Sequence, residues 1–321
     1  MELPIIDMSG LRSGIADERE AVGRALKEVC LDMGFFYLTG HQVSKHSRDV
    51  AMAAIREFFS LPLDRKLLAN KARSTCHRGY EPLRGQTLEP GSPADLKEGY
   101  YIGRELLRDD PRVRAGKFNH GPNIWPDALP RFRTDLTVYY RELLAVSRIL
   151  MKGLALSLGL DEGHFDAFTT EEIATLRLLH YPEQSANPAP GEKGCGEHTD
   201  FGTITLLLQD DCGGLQVWGG NAGWIDATPI SDTYVVNLGN MVGRLTNDRY
   251  QSTKHRVINT SGRDRYSIPF FYLGNPDVPV ECIPTCLAPG EAPKYPTTTI
   301  GRHYEEMYGV TYSLNSTECD Q

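Results

Sequence analysis

Apolar positions near the start of the chain recur at helical steps. Val22, Leu26, Val29 and Met33 fall three and four residues apart behind Asp17 and Glu18, acids suited to a helix N-terminus, and the run stops at Gly34. Phe35-Phe36-Tyr37-Leu38, closed by Gly40, reads as a short aromatic strand. A second amphipathic helix is expected from about Ser47 to Phe59, ahead of Pro62, which completes an αβα opening. From Ser74 to Trp125 the chain is rich in Gly, Pro and charge and sustains no period, so it is either a long functional loop or a set of short strands. Leu136, Tyr140, Leu143, Leu144, Leu150 and Leu154 then mark a long helical pattern between Leu129 and Leu160. That helix should back the core and break near Gly153.

Beyond about residue 172 the pattern changes to short runs of β-formers: Thr175 to Tyr181, Thr203 to Leu208, Leu215 to Trp218, Tyr234 to Leu238, His255 to Asn259 and Tyr266 to Tyr272. Gly213-Gly214, Gly219-Gly220, Asn247-Asp248 and Ser261-Gly262 punctuate them as turns. An antiparallel jelly roll fits this spacing best. A last helix is expected from Ile300 to Tyr308, followed by a polar tail that frays. The expected class is α+β with a mainly β core. Helices and short strands fill 1–125, backing helices 126–172, the jelly roll 173–312 and the tail 313–321.

Composition narrows the function. A chain of 321 residues, 40% hydrophobic and 24% charged, is long enough for one large domain or two. Its net charge of −8, with no interleaving of basic and aromatic residues, argues against a nucleic-acid groove. No apolar run approaches the roughly 20 residues of a membrane helix, and Met1 to Asp7 do not resemble a secretory leader. Seven cysteines without a CxxC pair read as reduced thiols and a cytoplasmic address. No repeating apolar seam is visible, so a monomer is expected.

Candidate chemistry begins with His198-Thr199-Asp200, two metal-capable side chains that an extended strand would place on one face. Such a pair alone is weak. It leads, however, into the strand Thr203 to Leu208, and His255 opens another strand. Two imidazoles and one carboxylate make the facial triad that holds Fe(II) with open positions for substrate and O2. Zinc suits the same ligand types, but hydrolytic zinc sites usually carry a helical His-Glu-x-x-His, which this chain lacks. Further on, Arg265-Tyr266-Ser267 turns a guanidinium and a hydroxyl to the same side of a strand, a pair suited to grip a carboxylate.

At this point the chain resembles the plant- and fungal-type 2-oxoglutarate and Fe(II)-dependent dioxygenases, the superfamily that includes isopenicillin N synthase. The resemblance runs through Pro4-Ile5-Ile6-Asp7, Gly34 to His41, Leu178-Leu179-His180-Tyr181-Pro182, His198 to Gly202, Gly214-Leu215-Gln216-Val217, Val236 to Asn240, Thr246 to Val257 and Arg265-Tyr266-Ser267. It implies a double-stranded β-helix, a cupin-like jelly roll, with an N-terminal helical region packed on it. Iron would be bound by His198, Asp200 and His255. Arg265 and Ser267 would hold the distal carboxylate of 2-oxoglutarate, and Tyr181 would reach its other end. Leu179 stands where many plant members carry an Asn that contacts the co-substrate, and Asn240 replaces an Asp.

The activity so implied is oxidation, by default hydroxylation, of an unactivated C–H of a small molecule. O2 is consumed, succinate and CO2 are released, and the setting suggested by the family is secondary metabolism. Strand parity carries Phe271 to the side of Arg265 and Ser267, and Arg177 and Leu179 to the side of Tyr181. These three are the candidate substrate residues. The segment Cys76 to Gly103, with Arg78, Tyr80, Lys97, Tyr100 and Tyr101, is of the kind that closes over such sites. The main alternative is a 2-oxoglutarate-independent oxidase of the isopenicillin N synthase type, in which the Arg and Ser grip the substrate's own carboxylate. A non-catalytic jelly-roll receptor and a zinc hydrolase are the remaining readings.

Overall fold

The computed structural model describes residues 2–185 and 188–313. The opening elements are β1 (Ile5–Asp7), α1 (Ala16–Asp32), β2 (Phe35–Thr39), α2 (Lys45–Phe59) and the short α3 (Leu63–Leu67). Ser44 caps α2, its hydroxyl accepting from the Ser47 amide at 3.0 Å, which starts the helix slightly before its apolar period becomes visible. The aperiodic stretch contains two strands, β3 (Gly79–Glu81) and β4 (Glu98–Gly103), and the single-turn α4 (Pro111–Arg114). β4 has no alternation because all six of its residues are buried.

The long helix α5 (Phe132–Ser157) runs unbroken through Gly153, contrary to the expected break. Gly153 is there for contact. A Cβ at that position would lie 2.8 Å from both Leu11 and Leu26, and one on Gly23 would lie 2.8 Å from the Leu156 Cβ, so the two glycines let α1 and α5 approach closely.

The remaining strands are β5 (Ile173–Tyr181), β6 (Cys195–His198), β7 (Ile204–Gln209), β8 (Leu215–Trp218), β9 (Trp224–Asp226), β10 (Tyr234–Leu238), β11 (His255–Val257), β12 (Arg265–Gly274), β13 (Pro279–Val280) and β14 (Thr298–Thr299). Helix α6 (Asn240–Leu245) follows β10, and α7 (Ile300–Ser313) closes the described chain. The tail after 313 lies outside the described residues. Asn247 and Asp248, both at positive φ, follow α6, so that turn links a helix to β11 and not two strands.

Two facing sheets form the double-stranded β-helix. The major sheet has the order β1-β2-β10-β7-β12-β5-β4-β3 and the minor sheet β6-β11-β8-β9. Period-2 alternation divides the side chains of β12 between two environments. Ile268, Phe270 and Tyr272 enter the core under α2 and α5, whereas Arg265, Ser267, Pro269 and Phe271 face the space between the sheets. β5 does the same, with Leu176 and Leu178 outward and Arg177, Leu179 and Tyr181 inward. The helices thus cover one face of the major sheet and leave the other for chemistry. No helix among the described residues is long and apolar enough to cross a membrane.

Candidate metal and co-substrate site

His198 ends β6 and His255 begins β11, and the two are directly opposed in the antiparallel pairing of the minor sheet. Their rings stand 4.2 Å apart. Asp200 does not continue the strand as the sequence pattern suggests. It lies just beyond, in a turn held by the Asn240 amide donating to the Asp200 carbonyl at 2.8 Å, and its carboxylate swings back to the imidazoles. Asp200 Oδ1 is 3.8 Å from His198 Nε2 and 3.6 Å from His255 Nε2. The three ligand atoms lie within 4.8 Å of one another, close enough to converge on one ion.

Each ligand is oriented by a second bond. His198 Nδ1 donates to the Gly196 carbonyl at 2.8 Å and His255 Nδ1 to the Thr253 carbonyl at 3.2 Å, which leaves both Nε2 lone pairs for a metal. Asp200 Oδ2 accepts from Thr205 Oγ1 at 2.5 Å and Asn237 Nδ2 at 2.7 Å, leaving Oδ1 toward the histidines. Burial holds the His255 imidazolium pKa down to about 4, with the neighbouring His198 adding to the effect, and burial lowers His198 as well. Burial would raise Asp200, but His255, His198 and the two hydrogen bonds outweigh it and keep the carboxylate ionised. Two neutral imidazoles and one carboxylate are the protonation states a divalent ion needs. The donor set therefore fits Fe(II).

The carboxylate grip stands across the same cavity. Arg265 is fully buried. Its Nη1 donates to Ser267 Oγ at 3.1 Å, Nη2 to Gln209 Oε1 at 3.0 Å and Nε to the Gly213 carbonyl at 2.6 Å. No carboxylate of the described residues pairs with it, so a buried cation is left for an anionic ligand, and the cavity suits an acid such as 2-oxoglutarate. Tyr181 is the register partner of Arg265, with the guanidinium 4.8 Å from its ring centre. The structure thus brings Tyr181 to the Arg265 side, whereas the family resemblance implies that it reaches the opposite end of the co-substrate. Leu179 faces Ser267 across the same strand pair.

The other candidates also line the cavity. Arg177 lies between the Tyr101 and Phe271 rings, 4.7 and 4.8 Å from their centres, and donates to the Tyr308 hydroxyl at 3.0 Å. Pairing between β12 and β5 lapses at Pro269, which has no amide to donate, and this gap lies beside Phe271 and Arg177. Two residues enter from the segment before β4: Lys97, which the sequence names only as part of a covering segment, and Gln86, which it does not single out. Gln86 is buried with its Oε1 unpartnered, and Lys97 reaches the cavity beside Cys195. Only their place in a segment suited to cover a site could have pointed to them. His180 instead joins Glu98, Lys66 and Tyr80 in a buried cluster apart from the triad. A second metal-capable group, Asp210, Asp211 and Cys212, is spent on the Tyr266 amide, Arg56 and Arg263.

Comparison with known proteins agrees with this geometry. Residues 173–274 match the 2OG-Fe(II) oxygenase superfamily, and residues 3–128 match the model described as non-haem dioxygenase in morphine synthesis N-terminal. The 2-oxoglutarate-Fe(II) type oxidoreductase hxnY of Emericella nidulans is 43% identical, with 96% of this chain and 90% of the relative covered. The clavatol oxidase claD of Penicillium crustosum is 34% identical over 97% of both chains. Among solved structures, a full-length Neurospora crassa protein in complex with alpha-KG and thymine superposes with a TM-score of 0.83 at 33% identity, covering 98% of this chain and 97% of that one. With the triad, the buried arginine and these likenesses together, the chain belongs to the 2-oxoglutarate and Fe(II)-dependent oxygenase superfamily.

Proposed function

We propose that the protein hydroxylates an unactivated C–H of a compact, ring-bearing small molecule, with His198, Asp200 and His255 holding Fe(II) and Arg265 with Ser267 holding a carboxylate of 2-oxoglutarate. The observation that carries this reading is the convergence of a complete metal triad and a buried, carboxylate-free arginine on one cavity. Bound iron and 2-oxoglutarate supply the O2 activation, coupled to decarboxylation of the co-substrate to succinate and CO2. The protein's part is placement. Arg265 and Ser267 orient the dianion by charge-assisted bonds, and the walls of Leu88, Leu207 and Val257 keep water from the reacting centre.

The substrate lobe adjoins the triad, where Phe271, Phe201 and Tyr304 supply aromatic faces and Gln86 an unfilled acceptor. Arg177, held between two rings, lines the same space. A flat ring that stacks on Phe271 and donates a hydrogen bond to Gln86 suits these walls. Thymine, seen in the N. crassa complex, is a ligand of this general size. Leu179 would contribute apolar packing in the metal and co-substrate cavity. By the same reading the natural setting is secondary metabolism.

The test begins without a substrate. Fe(II) and 2-oxoglutarate are added to the apoprotein under anaerobic conditions, and a visible metal-to-ligand charge-transfer band is expected only when both are present. Aerobic screening of small ring compounds should then release succinate in step with product. Iron bound at one equivalent without any band would contradict the co-substrate assignment.

A further inference from the structure

Arg265 can neutralise one carboxylate of 2-oxoglutarate, which has two. The commonest polar partner for the other end is absent, because Leu179 presents only methyl groups there. The cavity nevertheless contains a third cation. Lys97, just before β4, is 4% exposed and lines the cavity alongside Tyr181, Cys195 and His198. Its ammonium donates to Asp95 and lies 3.6 Å from the Cys195 sulfur, which is itself 3.9 Å from His198 Nδ1. Lys97 is therefore next to the metal-binding strand.

Three facts separate Lys97 from an ordinary buried ion pair. Asp95 does not line the cavity, so the pair presents its positive end there. An ammonium has three donors, and among the described residues only Asp95 and the weakly accepting sulfur take one each. Asp95 is itself fixed by the Gly196 amide, which donates to its Oδ1 at 2.9 Å and anchors the lysine to β6. Asp95 already balances the charge, so what Lys97 offers is a spare donor on a buried ammonium that faces a cavity suited to a dianion, placed to bind an anionic ligand.

We propose that Lys97 is a further co-substrate-binding residue, whose ammonium meets the carboxylate of 2-oxoglutarate that Arg265 does not take. The inference rests on the co-substrate reading above. Lys97 takes the role that a side-chain amide at position 179 would otherwise fill, and Asp95 sets its direction. The same arrangement ties the segment before β4 to co-substrate binding, so that segment should become more protected when 2-oxoglutarate binds.

The experiment is an anaerobic titration of the Fe(II)-loaded enzyme with 2-oxoglutarate, followed by the charge-transfer band, with iron stoichiometry and Tm measured in parallel. Appearance of the band in the unsubstituted protein establishes the co-substrate reading independently of Lys97. Lys97→Met is expected to raise the Kd for 2-oxoglutarate by at least tenfold and to shift the band while iron stays bound at one equivalent. Because Lys97→Met leaves Asp95 buried without its partner, the pair Asp95→Asn/Lys97→Met is measured as well, in which no lone charge remains. A weakened Kd in both variants supports the assignment. An unchanged Kd in either folded variant, or a Kd restored in the double variant, would mean that Lys97 serves only to balance Asp95 and would overturn it.

Discussion

Asn237→Leu tests how the iron ligand Asp200 is aimed. Asn237 on β10 and Thr205 on β7 are directly opposed in the major sheet, and their side chains close on the same carboxylate oxygen at 2.7 and 2.5 Å. Leucine matches the size of the amide and removes its donor. A hydrogen bond to a buried charge is worth about 1.5–3 kcal/mol. A bond present equally with and without metal would cancel, so what counts is orientation. With one donor gone the apo carboxylate can rotate, and iron must then supply the ordering that the sheet supplied before. An opposing effect exists, since the amide withdraws charge from Oδ1 and its loss makes that oxygen a better donor. Polarisation of this kind changes a bond by roughly 10–30%, a few tenths of a kcal/mol, and orientation wins. At 1.4 kcal/mol per tenfold the expected loss in iron affinity is roughly 10- to 100-fold, the range typical of outer-sphere partners of a metal ligand. Anaerobic titration with Fe(II), with Tm as the control for folding, measures it. Thr205→Val should act in the same direction, and the double variant should lose less than the sum because both act on one oxygen. A folded Asn237→Leu protein that binds iron as tightly as the unsubstituted one would refute the reasoning.

Arg265→Gln should raise the 2-oxoglutarate requirement by roughly 100-fold or more with iron still bound, since it removes a buried charge-assisted grip. A 2-oxoglutarate KM within a few-fold of normal would count against that role. Gly239→Ala should loosen the turn that carries Asp200, because its Cβ would lie 2.2 Å from the Gly202 carbonyl oxygen and 3.0 Å from that of Asp200. A cost of about 1–3 kcal/mol, with weaker iron binding, is the expected outcome of denaturant and metal titrations. Acid should destabilise the apoprotein well above the carboxylate range. Burial lowers His41, His77, His120, His198, His255 and His303 in the native state, His77 and His255 to about 4. The unfolded imidazole titrates near 6.5, so between about 6.5 and 4 the unfolded chain binds protons that the native chain does not. Stability is full above this window and is lost as pH falls through it. With a chelator present, Tm at about pH 5 should lie several degrees below its value at about pH 7.5, and a flat profile would contradict the sign. Phe271→Ala should raise the substrate KM while leaving the 2-oxoglutarate Kd within a few-fold, which competition between the two ligands would show.

Legibility in the sequence follows the physics of each element. α1, α2 and α5 bury one stripe each against the major sheet, so their period is written in Val22, Leu26, Leu136 and Leu143. β5 and β12 are equally plain, because one face meets the helices and the other meets the cavity, and parity alone places Arg265, Ser267 and Phe271 together. β3 and β4 leave no such trace. They extend the major sheet beside β5 and are buried on both faces, so polar Glu81 and Glu98 sit inside, satisfied by Lys71 and Lys66, and the period disappears. Gly153 misleads for a related reason, since a gap in a helical pattern reads the same whether the helix ends or a neighbour fills the space.

The site divides along the same line. Ligands fixed by chain-local geometry, His198 with Asp200 and Arg265 with Ser267, are visible as spacings. Groups that arrive from another part of the chain are not. Lys97 and Gln86 reach the cavity because β4 pairs with β5 and carries the preceding segment over the triad, a long-range contact that no local pattern encodes. The orienting pair Thr205 and Asn237 depends in the same way on β7 meeting β10 in one register. A slip of β10 by one residue there would turn Asn237 away from Asp200 and leave Thr205 as the one donor of the pair. The metal site is therefore as much a property of sheet register as of the residues that touch the ion, and substitutions that shift β10 against β7 should weaken iron binding without altering any ligand.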